Sequence, residues 1–134
     1  MSRTIIALQG VYYVVTGVWP LVSLDTFEVV TGSKTDHWLV HTVGVLAAAI
    51  GLALLVGARR LAPSAETVTL AGAAAVAFAG IDTFYALRQT IGQIYLADAV
   101  IQGIFLVALL VSRNGRRVRT WRRRPAAVVT RSVP

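Results

Sequence analysis

Four long apolar stretches take up most of this 134-residue chain: Thr4 to Val22, Trp38 to Ala58, Ala65 to Leu87 and Gln93 to Val111. Each is close to the roughly 20 apolar residues that a helix needs to cross a bilayer. In lipid every backbone polar group has to be satisfied within the chain, which for isolated stretches of this length means α-helix. A soluble bundle would keep a polar face on each helix, and a run such as Val43 to Ala58 has none. The balance of 56% hydrophobic to 14% charged residues agrees. The sequence therefore predicts an all-α membrane protein, an antiparallel four-transmembrane-helix bundle over residues 1–112, with an Arg-rich tail over 113–134.

Charge sets the expected orientation. Arg3, Arg59, Arg60, Arg113, Arg116, Arg117, Arg119, Arg122, Arg123, Arg124 and Arg131 fall on one side of an even number of spans, and only Lys34 and Arg88 fall on the other. Eleven cations against two predict that both termini are cytoplasmic. The tail is expected to meet anionic lipid, at about 1 kcal/mol per residue near the surface, with Trp121 as an interfacial anchor; a nucleic-acid partner is not expected. Arg3 ahead of an apolar run also resembles a signal peptide, but the bulk of Tyr12, Tyr13 and Trp19 and the poor cleavage site at LVSLD predict a retained helix. The chain has no cysteine, so disulfides, thiolate nucleophiles and cysteine metal sites are excluded.

The one long connection between spans, SLDTFEVVTGSKTDHW, carries its own helix signal. Asp25 and Glu28 fit a capping box, Leu24 and Val29 a hydrophobic staple, and Gly32 a C-terminal stop. A short helix over about 26–31 is expected to lie across the outer face, with Phe27 and Val30 turned down onto the bundle or the lipid, either joining two spans or roofing a site. Asp36 or Thr35 caps the second span and Ser64 the third. Small residues at Gly44, Ala47, Ala48 and Gly51, and from Ala71 to Gly80, predict close helix contacts.

Polar residues inside the spans mark the candidate site. Asp82 and Tyr85 lie three residues apart near the end of the third span, and Tyr95 and Asp98 lie three apart at the start of the fourth. At 1.5 Å per residue, Asp82 sits about 7 Å and Asp98 about 8 Å inside the outer surface. A carboxylate within a span costs about 2.5 kcal/mol or more, so both need partners. One solution pairs them with Arg88 or His41. The other is an outward-opening pocket lined by Asp82, Asp98, Tyr85, Tyr95, His41 and Thr16, with Gln102 carrying the polar stripe inward; two carboxylates together would hold a proton or a cation there. Gln9, Tyr13 and Thr16 share one face of the first span. His37 and His41, four apart, make an incomplete metal site, and no cofactor is expected.

Between Gly17 and Gly44 the patterns W-P-L, F-E-x-V-T-G and W-L-V-x-x-V-G resemble a group of small bacterial four-span membrane proteins with no known activity. The resemblance implies the same four-helix plan and, being to bacterial proteins, a place in a bacterial inner (plasma) membrane; it transfers neither a function nor catalytic residues. Three functions stay open: binding or transport of a cation, proton or small amine-like or lipid-like ligand; a membrane enzyme using Asp and His as acid and base on a lipid or other apolar substrate; and an accessory or assembly subunit. Transport through so small a bundle would need a homo-oligomer or a larger complex.

Overall fold

The computed structural model describes residues 2–121. Among the described residues every element is helical: α1 (Ser2–Val22), α2 (Leu24–Thr31), α3 (His37–Ala58), α4 (Ala65–Leu87) and α5 (Ile94–Trp121). Four stretches, α1, α3, α4 and Ile94–Ser112 of α5, are long and apolar enough to cross a membrane, with mean hydropathies of 1.6, 2.4, 1.6 and 2.3. Of the tail assigned to 113–134, residues 122–134 and the side chains of 113–121 lie outside the described residues.

Glycine decides the tightest contact. Gly10 and Gly17 on α1 face Gly51 and Gly44 on α3. A β-carbon on Gly17 would stand 2.5 Å from the Gly44 carbonyl oxygen and 2.7 Å from the Ala48 nitrogen; one on Gly51 would stand 2.7 Å from the Gly10 oxygen. Lipid gives helices no hydrophobic reason to associate, so close backbone packing of this kind supplies the attraction. Seven-residue spacing on both helices keeps the seam aligned over two turns. Beyond the seam, Ile6, Tyr13, Leu54, Ala58, Ala71, Ala74 and Leu109 form the core. The small residues of α4 divide: Ala71, Ala74 and Ala75 are buried, whereas Gly72 and Gly80 face open space.

Ser64 caps α4 as expected, its hydroxyl accepting from the Thr67 amide at 3.4 Å. Gly32 closes α2 with a positive φ of 86° and donates its amide to Glu28 O at 2.8 Å. The start of α2 differs from the expected capping box. Ser23, not Asp25, is the N-cap, because its amide still bonds to Trp19 O at 3.0 Å and α1 passes into α2 through that single residue. Asp25 is thereby drawn into the first turn, and Glu28 turns to the far end, where it accepts from the Lys34 amide at 3.0 Å and pairs with His37 at 3.1 Å. The staple is not formed either, since Val29 is 85% exposed.

Candidate functional site

A cavity of about 240 Å³ lies at the α2 end of the molecule, between α1, α2 and α5. Its wall is mostly aromatic and aliphatic, with Tyr12, Trp19, Phe27, Phe78 and Tyr95 among the lining side chains. Asp98 and Gln102 supply the polar part of the wall, with Thr16 and Thr31. The rim residues Trp19, Val30, Ile94 and Ala97 are exposed and apolar. Phe27 packs edge-on against Trp19, with ring centroids 5.7 Å apart, so α2 forms part of the roof.

The hydrogen bonds around Asp98 share one direction. Tyr12 donates its hydroxyl to Asp98 Oδ1 in a short bond. Gln102 Nε2 approaches both carboxyl oxygens at 3.4 and 3.5 Å. Gln102 Oε1 in turn accepts from the Tyr13 hydroxyl at 2.7 Å, and Tyr13 accepts from Gln9 Nε2 at 3.0 Å. Gln9 Nε2 also donates to the carbonyl of Ala71 at 2.8 Å. Donors thus converge on Asp98 and fix it as the acceptor at the end of the chain, the arrangement that suits a carboxylate. Towards the opposite end of the molecule the polar chain stops, and fully buried Ile6, Leu54 and Leu109 fill the core.

Asp82 stands behind the cavity wall. It is 6% exposed, it interacts directly with the Asp98 carboxyl, and its Oδ2 is buried without a hydrogen-bond partner among the described residues. Gln9 Oε1 is the other such atom.

Of the residues singled out by sequence, Thr16, Tyr95, Asp98 and Gln102 line the cavity and Asp82 touches it through Asp98. His41, Tyr85 and Arg88 do not line it. α3 packs against α1 and gives the cavity only Ala47, leaving His41 exposed. Tyr85 is 43% exposed and meets Phe84 edge-on, and the Arg88 guanidinium lies 4.3 Å from the Phe84 ring centre. The contact between Glu28 and His37 involves neither aspartate. No three His, Cys, Asp or Glu side chains among the described residues form a metal-binding group.

Tyr12 is the residue that sequence reasoning passed over. It lies four residues before Thr16, whose hydroxyl bonds to its carbonyl at 2.8 Å, so it belongs to the same polar stripe as Gln9, Tyr13 and Thr16.

Lys34 ties the roof to the wall. Its ammonium donates to the Thr31 and Gly32 carbonyls at 2.8 and 2.9 Å, where a cation meets the negative end of the α2 dipole, and it lies 5.3 Å from the Tyr95 ring centre. Burial holds this ammonium below the ordinary lysine range, against the opposing pull of Glu28.

No family model, curated protein or solved structure matches the chain.

Proposed function

We propose that this chain is a multi-pass protein of the bacterial inner membrane, an antiparallel four-span bundle with both termini cytoplasmic and α2 lying in the outer interface. The basic residues of its cytoplasmic end, the tail included, meet anionic lipid. Its cavity binds a small organic cation with an apolar body, such as a protonated or quaternary amine. The observation that carries this reading is Asp98: a carboxylate with converging donors, set in a wall built mostly from aromatic and aliphatic side chains. Aromatic faces attract a cation by about 0.5–2 kcal/mol each, and the carboxylate fixes its charged end. Hydrophobic closure at Ile6, Leu54 and Leu109 supports capture from one side rather than passage through a single chain.

The test compares benzyltrimethylammonium with its uncharged carbon isostere, neopentylbenzene, by calorimetry on the protein in lipid nanodiscs. The cation binds more tightly to the wild type, and Asp98→Asn removes that preference. Equal binding of the two probes by the wild type rejects the proposal.

A further inference from the structure

Asp82 has no place in a site that needs only one carboxylate. It is 94% buried on α4, behind a wall to which it contributes no lining, with one oxygen unpartnered and its carboxyl against that of Asp98. Two ionised carboxylates side by side in an apolar span, with no basic side chain paired to either among the described residues, repel strongly and are each costly to bury. One proton removes both costs. The surrounding hydrogen bonds decide where it sits. Asp98 already accepts from Tyr12 and Gln102, contacts that favour its ionised form. Asp82 has no such donors for its Oδ2. Among the described residues, the titratable groups facing the pair are Tyr12 and Tyr13 from α1 and Tyr95 from α5. A phenol can donate a hydrogen bond to the pair, but it brings no positive charge. The nearest basic side chain in sequence, Arg88, is turned onto Phe84.

We infer that Asp82 is held protonated and donates its hydroxyl to Asp98, so that the pair presents a single negative charge and the cavity selects one monovalent cation over a divalent metal ion. The selectivity half of this statement rests on the cation-binding reading above; the protonation half stands without it. Asp82 is a positioning residue: it neutralises its own charge and orients the Asp98 carboxylate toward the cavity. Asparagine keeps a donor in the same place, so Asp82→Asn resembles the protonated residue, whereas Asp98→Asn removes the charge itself.

Infrared spectroscopy and binding on the nanodisc-embedded full chain test the two halves separately. At neutral pH the wild type shows the carbonyl stretch of a buried carboxylic acid, which persists in Asp98→Asn and vanishes in Asp82→Asn. Absence of that band from the wild type, or its survival in Asp82→Asn, overturns the inference whatever the binding results. For benzyltrimethylammonium, Asp82→Asn stays within about threefold of the wild type while Asp98→Asn loses about tenfold or more, since one lost charge contact is worth at least a factor of ten. Equal losses in the two variants overturn the inference, as does displacement of the probe by magnesium or calcium at concentrations matching its own. Should Asp82→Asn fail to fold, the Asp98→Asn spectrum still decides: burial without a donor for Oδ2 keeps the proton on Asp82 once Asp98 is gone, so the band persists, and its loss overturns the inference. A wild type that binds no probe but keeps the assigned band sinks the proposed function and leaves the protonation of Asp82 standing.

Discussion

Replacing Gly17 by alanine tests the packing on which the cavity depends. The added β-carbon would stand 2.5 Å from the Gly44 oxygen, 2.7 Å from the Ala48 nitrogen and 3.1 Å from the Ala47 β-carbon. Ordinary contact begins at 3.4 Å, so α1 and α3 must part by about 0.9 Å at this crossing, the difference between 3.4 and 2.5 Å. Two of the obstructing atoms are backbone and have no rotamer to adopt. A gap of 0.5–1 Å forfeits about a quarter to a half of the dispersion energy along a seam, and overpacking of this kind costs about 1–3 kcal/mol, with backbone obstruction placing Gly17→Ala near about 2–3. Alanine also returns about 1 kcal/mol of helix propensity over glycine. The net destabilisation is then about 1–2 kcal/mol. Gly72→Ala supplies the control, because nothing lies within 4 Å of its β-position and only the propensity gain remains. The two variants should differ by about 2–3 kcal/mol in equilibrium unfolding in mixed micelles. If they agree within about 0.5 kcal/mol, the glycine seam does not hold α1 to α3.

Other perturbations address the site and its roof. Tyr12→Phe keeps the ring contact with Phe105, whose centroid lies 5.9 Å away, and deletes only the bond to Asp98; it should lower stability by about 1–2 kcal/mol, the upper range for such bonds in membranes, and cost almost nothing in an Asp98→Ala background when the two are compared in a double-mutant cycle. Docking of α2 should strengthen with pH above the lowered Lys34 value and up to the ordinary 10.5, because in that window the undocked lysine binds more protons than the docked one. Trp19 fluorescence in a chain with Trp38 and Trp121 replaced by Phe reports this, and the pH response should disappear in Lys34→Met. Gln89 holds a positive φ of 56° after α4, so Gln89→Gly should stabilise the α4–α5 turn by about 1 kcal/mol in the same unfolding assay, whereas Gln89→Val should weaken it.

Hydropathy is a local property, and it placed the helices well: α3, α4 and the span of α5 begin and end within a residue or so of the apolar stretches. Caps that depend on one residue, Ser64 and Gly32, were equally legible. The capping box at Asp25 and Glu28 was not, because Ser23 competes for the same helix start two residues earlier and Glu28 finds better partners in Lys34 and His37. The site divides along similar lines. Depth follows from counting residues along a helix, which is why Thr16, Tyr95, Asp98 and Gln102 meet at the α2 end. Rotation about the helix axis depends on which helices pair. The Gly10 and Gly17 seam turns α3 onto α1 and away from α5, so His41 stays exposed and outside the cavity. Tyr12 enters it through the same rotation, as a partner that spacing from Asp98 could not indicate.

The greasy rim of the cavity has a consequence for how its occupancy is to be measured. Trp19, Val30, Ile94 and Ala97 are exposed around the mouth, and in the proposed orientation they meet lipid tails and headgroups rather than bulk water. An amphiphile would then dissolve in the bilayer first and reach Asp98 sideways. The concentration that sets occupancy is its mole fraction among the lipids. An apparent Kd expressed in aqueous terms would rise as more lipid is added at constant protein, through surface dilution alone, while the value per lipid stayed fixed.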